Sequence, residues 1–266
     1  NSDGPDMNAV EEIIKDEKVK GMFCVPKYSN PTGETYSHET VERIAAMCPA
    51  ADDFRIIWDN AYIIHDLAEE SDKLENIFDV LKKYGHEDMV IEFTSTSKIS
   101  FPGAGIAVEA ASDNNLRMLK SRMTVQTIGP NKLNQLCHGR MFPNVDALLN
   151  HMKRHADVLR PKFEACLNSF DRELRGLGIA EWTKPLGGYF ISMMVLPGTA
   201  KRVGELCSDA GLAITNPGAT YPYGKDPADS NIRIAPSFPS VSAIGKAADV
   251  LSVAVKYAAL EKLLSE

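Results

Sequence analysis

The segment Thr94-Ser95-Thr96-Ser97-Lys98 follows the apolar run Met89-Val90-Ile91-Glu92-Phe93, so several hydroxyls and one lysine come directly after a predicted buried strand. A turn rich in glycine and proline, Ile99–Gly105, then leads into the apolar segment Ile106–Val108. In an open α/β sheet, ligand-binding groups gather at the carboxyl ends of the strands. A lysine there can be partly desolvated, which favours the neutral amine that a Schiff base requires, and neighbouring hydroxyls can bind phosphate oxygens. The segment alone fits a solvated loop lysine equally well, so the rest of the chain must decide.

Two other predicted strands also end in polar residues. Gly21–Pro26 runs into a turn that contains Asn30, which the following proline holds in an extended conformation. Phe54–Trp58 ends at Asp59, and Tyr62 follows three positions later. Helical segments between the strands indicate a mostly parallel sheet, in which the carboxyl ends of the strands share one edge. We therefore expect these polar residues to converge on one crevice with the serines and the lysine of the opening segment.

The predicted secondary structure changes about halfway along the chain. Residues 114–178 are predicted to be helical, and they include a long helix over about 145–175 in which Pro161 should cause a kink. Short strands and helices alternate beyond this region. The sequence therefore predicts an α/β protein with flanking helices, in which residues 1–150 form part of a large domain and residues 151–266 form a smaller α+β domain.

Composition narrows the possible classes of protein. The chain is 44% hydrophobic and 24% charged, values typical of a globular protein. Its net charge of −7 does not indicate a basic surface for binding nucleic acid or an acidic membrane. No apolar run is long enough for a membrane span. The five cysteines are scattered, odd in number and never in a CxxC pair, which favours free thiols in a reducing cytoplasm.

Five short motifs occur in order over nearly the whole chain. They are Pro26-Lys27-Tyr28-Ser29-Asn30-Pro31-Thr32-Gly33, Asp59-x-x-Tyr62, Ser95-x-Ser97-Lys98, Pro185-x-Gly187-Gly188-Tyr189-Phe190 and Asn231-Ile232-Arg233. Each motif is short and weak by itself. Together, in this order and with compatible spacing, they resemble the fold-type I aminotransferases that use pyridoxal 5'-phosphate (PLP), especially the MocR-type or aspartate aminotransferase-like branch. The resemblance implies the type I fold of PLP-dependent transferases.

The resemblance also implies roles for the strand-end residues. Lys98 would form the Schiff base and later move the proton between the substrate Cα and C4′ of the cofactor. Asp59 would keep the pyridine nitrogen protonated, and Tyr62 and Asn30 would hydrogen-bond the phenolic oxygen. The alternatives are that Asp59 is only a cap after its strand and that Asn30 is only a turn residue.

Further roles concern charged groups of the cofactor and the substrate. Ser95 and Ser97 would bind the phosphate, and Arg233 would hold the substrate α-carboxylate as a bidentate fork. Lys132 would meet the side-chain carboxylate of a dicarboxylic substrate across the interface of a homodimer. The alternatives are an edge-strand arginine in a surface ion pair and a solvated lysine at the start of a helix.

The function implied is amino-group transfer from an amino acid, aspartate or glutamate, to a 2-oxo acid by a cytoplasmic homodimer. Two alternatives remain open at this point. One is an aminotransferase-like, effector-binding domain of a PLP-dependent transcription regulator, and the other is a PLP-dependent lyase. The first alternative requires a DNA-binding domain upstream of this sequence.

The sequence also departs from the family pattern. Many members carry an arginine in the turn after the lysine, but here the turn reads Pro102-Gly103-Ala104-Gly105-Ile106. The phosphate loop and the aromatic ring that stacks on the cofactor cannot be found before Asn30, and Asn1–Asp6 begins without a methionine. We therefore expect an N-terminal part to be absent and the site in this chain to be incomplete. His151 and His155 have helical spacing but no HExxH arrangement, so we expect no metal site there.

Overall fold

A computed structural model describes residues 1–265, which form two compact units. The first unit consists of residues 1–27, 34–64 and 72–152. The second consists of residues 28–33, 65–71 and the described residues from 153 onward. The predicted α/β class with a largely parallel sheet and flanking helices is confirmed.

The first unit is built on a four-stranded sheet in the order β1-β2-β3-β4. Its strands are β1 (Gly21–Cys24), β2 (Arg55–Asp59), β3 (Val90–Ser95) and β4 (Ala107–Ala111). β1, β2 and β3 are parallel, and β4 runs antiparallel to β3. Several apolar side chains of β2 and β3 are fully buried, among them Ile56, Trp58 and Val90. The parallel pairing places the ends of β2 and β3 side by side.

Five α-helices lie within the first unit, together with a short 3-10 helix, Glu87–Met89. The α-helices are α1 (Met7–Ile13), α2 (His38–Ala46), α3 (Ile77–Tyr84), α4 (Asp113–Gln126) and α5 (Lys132–Met141). The sequence predicts a start for α3 near Asp72, but the helix begins at Ile77 because the Asn76 side chain accepts the backbone N–H of Phe78 and caps it. Gly85 ends the helix in the left-handed conformation, as its position after the apolar pattern indicates.

Helix α6 (Val145–Glu173) belongs to the first unit up to Met152 and to the second unit beyond it. Pro161 lies inside this continuous helix. None of the helices in residues 1–265 has both the length and the apolar character that a membrane crossing needs.

The second unit has a three-stranded antiparallel sheet in the order β5-β6-β7. Its strands are β5 (Ala180–Trp182), β6 (Ile191–Val195) and β7 (Asn231–Ile234). The α-helices α7 (Ala200–Asp209) and α8 (Val241–Ser265) and a short 3-10 helix, Pro222–Gly224, also belong to this unit. Phe170, Leu174, Ile191 and Ile232 are fully buried in its core. The sequence also predicts a short strand over Leu212–Thr215, but this prediction is wrong, because the stretch joins no strand of the sheet.

Candidate active site

The loop that carries Lys98 is closed by hydrogen bonds between its two ends. The backbone N–H of Thr96 donates to the Ile106 carbonyl at 2.9 Å, and the Ile106 N–H donates to Oγ1 of Thr96 at 2.9 Å. A Cβ atom at Gly105 would lie 2.9 Å from Oγ of Ser97, so only glycine allows this close approach. The loop, residues 95–106, therefore has a fixed shape, and we call it the Lys98 loop.

Lys98 and Tyr62 meet in the structure as the sequence predicts. Nζ of Lys98 lies 4.9 Å from the centroid of the Tyr62 ring, within the range of a cation–π contact. Tyr62 is buried, with 5% of its surface exposed. The expected desolvation of the lysine is not found, since Lys98 is exposed on the turn beyond the end of β3. The amine is thus presented to solvent above a buried phenol ring.

Asp59 lies at the end of β2 and is half-buried. Its Oδ1 accepts the backbone N–H of Ala61 at 3.2 Å, so the carboxylate does cap the turn that follows. The next residue, Asn60, donates its backbone N–H to the Phe93 carbonyl at 2.7 Å and its amide to Oε1 of Glu92 at 2.7 Å. These bonds tie the end of β2 to β3 and fix the position of Asp59 beside the strand that leads to Lys98.

The first unit thus brings five of the predicted site residues to one edge of its sheet. They are Asp59, Tyr62, Ser95, Ser97 and Lys98. Ser95 is half-buried and Ser97 is exposed. Lys132, the first residue of α5, is exposed after the helix cap at Asn131.

Two buried side chains of the first unit were missed by the sequence interpretation. Lys27 is only 6% exposed and donates to the Ile63 carbonyl at 3.0 Å, next to Tyr62. His138 is 7% exposed and contacts hydroxyls of the Lys98 loop. No sequence pattern predicts the burial of either Lys27 or His138. Both contacts join parts of the chain that are distant in sequence.

The second unit brings together the other two predicted residues. Nη1 of Arg233, on β7, donates to Oδ1 of Asn30 at 2.9 Å. The guanidinium carbon lies 4.9 Å from the centroid of the Phe190 ring. Nε of Arg233 is buried and has no hydrogen-bond partner among residues 1–265. The guanidinium of Arg233 is held by Asn30, and its N–H donor at Nε is unsatisfied within the described residues, so it is suited to bind an anion such as a carboxylate.

The loop that carries Asn30 packs on the glycine turn of another motif. Tyr28 is fully buried, and its hydroxyl donates to Oδ1 of Asp66 at 2.6 Å. A Cβ atom at Gly187 would lie 2.1 Å from Cε2 of Tyr28, and one at Gly33 would lie 2.7 Å from Cβ of Pro185. The two motifs therefore require each other's small residues for packing, and together they hold Asn30.

Asp226 fixes the turn that leads into β7. Its Oδ2 accepts the backbone N–H groups of Ser230 at 2.7 Å and Asn231 at 2.8 Å. Partial burial raises the pKa of this carboxyl, but its hydrogen bonds from Ser230, Asn231 and other backbone N–H groups of the turn outweigh that effect and lower the pKa below its usual value. The anchored turn sets the start of the strand that presents Arg233.

No cluster of three or more histidine, cysteine or acidic side chains within residues 1–265 has the geometry of a metal site. His151 instead uses its Nε2 to donate to the Ile99 carbonyl at 2.8 Å.

Comparisons with known proteins agree with this architecture. The sequence profile of a family described as aspartate amino-transferase matches residues 1–266. The chain is 44% identical to an aspartate aminotransferase from Corynebacterium glutamicum over 98% of this chain and 60% of that protein. A crystal structure of an aspartate transaminase from the same species superimposes with a TM-score of 0.96 at 44% identity, covering 98% of this chain and 62% of the other.

A more distant structure shares the fold. It is the α-aminoadipate aminotransferase from Thermus thermophilus in complex with N-(5'-phosphopyridoxyl)-L-leucine, with a TM-score of 0.81 at 23% identity, covering 98% of this chain and 64% of that one. The fold is thus that of the PLP-dependent aminotransferases. The chain belongs to the aspartate aminotransferase family. It spans between 60% and 64% of the length of these relatives.

Proposed function

We propose that the protein is a PLP-dependent aminotransferase that moves the amino group of aspartate or glutamate to a 2-oxo acid. The observation that carries this proposal is the position of the Lys98 amine, which lies 4.9 Å from the centroid of the Tyr62 ring. Lys98 follows β3, and the neighbouring parallel strand β2 ends at Asp59. An amine, a phenol and a carboxylate on one sheet edge are the groups that this chemistry requires.

The groups at this edge fit PLP. The Lys98 amine suits its aldehyde carbon, the Asp59 carboxylate suits a protonated pyridine nitrogen, and the hydroxyls of Ser95 and Ser97 suit phosphate oxygens. When bound, PLP supplies an electron sink for the carbanion that forms at the substrate Cα. The absent arginine of the following turn leaves the phosphate charge to these hydroxyls and to groups outside the turn.

Each residue then has a defined task. Lys98 would take the proton from the substrate Cα and return it to the cofactor carbon, which is general acid–base work for an amine. Asp59 would keep the pyridine nitrogen protonated by its negative charge. The Tyr62 hydroxyl would donate a hydrogen bond to the phenolic oxygen of the cofactor, and the resemblance to the family implies the same role for the Asn30 amide.

Arg233 binds the substrate α-carboxylate. Two N–H groups of a guanidinium match two carboxylate oxygens, and Nε of Arg233 lacks a partner within residues 1–265. Asn30 holds Nη1 of Arg233 at 2.9 Å and limits the rotation of the fork.

We propose that the protein acts as a homodimer.

The proposed reaction can be tested directly. Incubation with PLP, aspartate and 2-oxoglutarate should release oxaloacetate, measured by NADH oxidation with malate dehydrogenase, at a turnover number of about 1–10³ s⁻¹. The same assay without 2-oxoglutarate is the control and should give a single turnover at most. Cofactor binding without any amino exchange would favour an effector-binding domain. Continuous consumption of aspartate without a 2-oxo acid, with release of CO2 or ammonia, would favour a lyase.

The proposed role of Lys132 makes a prediction about specificity. Lys132→Ala should raise KM for aspartate about tenfold or more and leave KM for alanine unchanged, because only aspartate carries the second carboxylate that the ammonium would bind. Steady-state kinetics with both amino donors provide the measurement, and Lys82→Ala, an exposed lysine on α3 that pairs with Asp79, is the control. Equal changes for the two donors, or none, would remove Lys132 from the site.

A further inference from the structure

His138, on α5, is a buried side chain that the proposed reaction leaves without a task. Its Nδ1 lies 2.8 Å from the carbonyl oxygen of Asn134. Its Nε2 lies 2.9 Å from Oγ1 of Thr96 and 2.7 Å from Oγ of Ser100. The ring therefore bridges its own helix and the Lys98 loop, and all four residues belong to the first unit.

The hydrogen-bond partners assign the tautomer of the neutral ring. A carbonyl oxygen can only accept, so Nδ1 carries the proton and donates to Asn134. Nε2 is then an acceptor. Thr96 Oγ1 already accepts the N–H of Ile106 at 2.9 Å, which leaves its own proton to donate to Nε2. The Ser100 hydroxyl is shared between Nε2 and the Thr96 carbonyl, 3.1 Å away.

The two hydroxyls that meet Nε2 flank the lysine symmetrically in sequence. Thr96 and Ser100 each lie two positions from Lys98. The backbone N–H groups of Ile99 and Ser100 both donate to the Thr96 carbonyl at 2.9 Å, so Thr96–Ser100 forms one tight turn. His138 therefore holds both ends of the turn that has Lys98 at its centre.

A second histidine contacts the same turn. Nε2 of His151 donates to the Ile99 carbonyl at 2.8 Å. The Phe142 ring packs near both imidazoles, with its centroid 6.4 Å from that of His138 and 5.2 Å from that of His151. The turn is thus fixed through its side-chain hydroxyls by one histidine and through its backbone by another.

We propose that His138 is a positioning residue for Lys98. By fixing the hydroxyls of Thr96 and Ser100 it sets the orientation of the turn, and hence the direction in which the lysine side chain leaves the loop. This inference rests on the proposed role of Lys98 in the reaction. A misplacement of about 1 Å in a reacting group can cost about 10²-fold in rate, so a fixed turn has a direct value for catalysis.

The test compares His138→Ala with His86→Ala. His86 is the matched control. It is a partly buried histidine of the first unit, and its Nδ1 also bonds a backbone carbonyl, that of Ala45, at 2.9 Å. Unlike His138, it makes no contact with the Lys98 loop. Hydrogen exchange of the apoprotein measures the protection of amides in the Lys98 loop, and titration with PLP measures the affinity of the site for the cofactor. In His138→Ala, the amides of Ile99, Ser100 and Ile106 should exchange about tenfold faster and the Kd for PLP should rise about tenfold. In His86→Ala neither quantity should change.

Two further measurements separate positioning from a general loss of stability. His138→Gln should restore part of the exchange protection, because its amide oxygen can accept the two hydroxyl protons. In the unmodified protein, ¹⁵N-edited NMR should show His138 with the proton on Nδ1, a result that does not depend on any variant folding. A proton on Nε2 alone, or unchanged loop exchange in a folded His138→Ala variant, would overturn the inference. Cofactor attachment at a lysine other than Lys98 would instead overturn the proposed function and leave the loop result intact.

Discussion

Replacement of Lys98 by alanine should abolish covalent attachment of PLP. The unmodified protein should be yellow, and borohydride should remove its visible band and leave the cofactor mass on the peptide that contains Lys98. The Lys98→Ala variant should bind PLP only non-covalently, so borohydride should leave no cofactor mass on its peptides, because the amine that lies over the Tyr62 ring is then gone. Absorbance spectra and peptide mass spectrometry provide the measurement.

The same variant should lose nearly all turnover. General acid–base catalysis by a positioned group contributes about 10²–10⁴-fold, and loss of covalent catalysis adds to that effect. Folding should be unaffected, since Lys98 is exposed, and circular dichroism should match that of the Lys82→Ala control. A Lys98→Ala protein whose peptides still carried the reduced cofactor after borohydride treatment would show that the assignment of the lysine is wrong.

The sheet edge of the first unit could be predicted because its signals are local. Apolar runs that end in polar residues mark β2 and β3, and the parallel pairing of these strands follows from the helices between them. These local signals are enough to place Asp59 and Lys98 at strand ends. Their chemical roles came from the resemblance to a family, because a strand-end carboxylate has the same local pattern as a cap.

Features that depend on long-range contacts could not be predicted. His138 and Thr96 are 42 positions apart, and nothing in the helix pattern of α5 marks the histidine as a partner of the loop. The burial of Lys27 likewise depends on the Ile63 carbonyl, 36 positions later. The stretch Leu212–Thr215 has strand-forming residues but no neighbouring strand, and pairing rather than propensity decides whether a strand forms.

Substitution of Asp59 should separate its charge from its hydrogen bond. In the structure Oδ1 accepts the Ala61 N–H at 3.2 Å, a contact that an asparagine oxygen at the same position can keep. Asp59→Asn therefore retains the cap and removes the negative charge. If the charge holds the pyridine nitrogen protonated, both Asp59→Asn and Asp59→Ala should lower turnover strongly, while only Asp59→Ala should also loosen the turn.

The expected size of the effect follows from the loss of a charged partner. Leaving a partly buried cation unpaired costs about 3–5 kcal/mol, and each ~1.4 kcal/mol is tenfold in rate, so turnover should fall by about 10²–10⁴-fold. Asp6→Asn is the matched control, since that carboxylate accepts the N–H of Asn8 at 3.0 Å as the cap of α1 and has no part in the site. Stopped-flow kinetics with aspartate and thermal unfolding would be measured for all three variants. If Asp59→Asn kept normal turnover, Asp59 would be only a cap and the site would need another partner for the pyridine nitrogen.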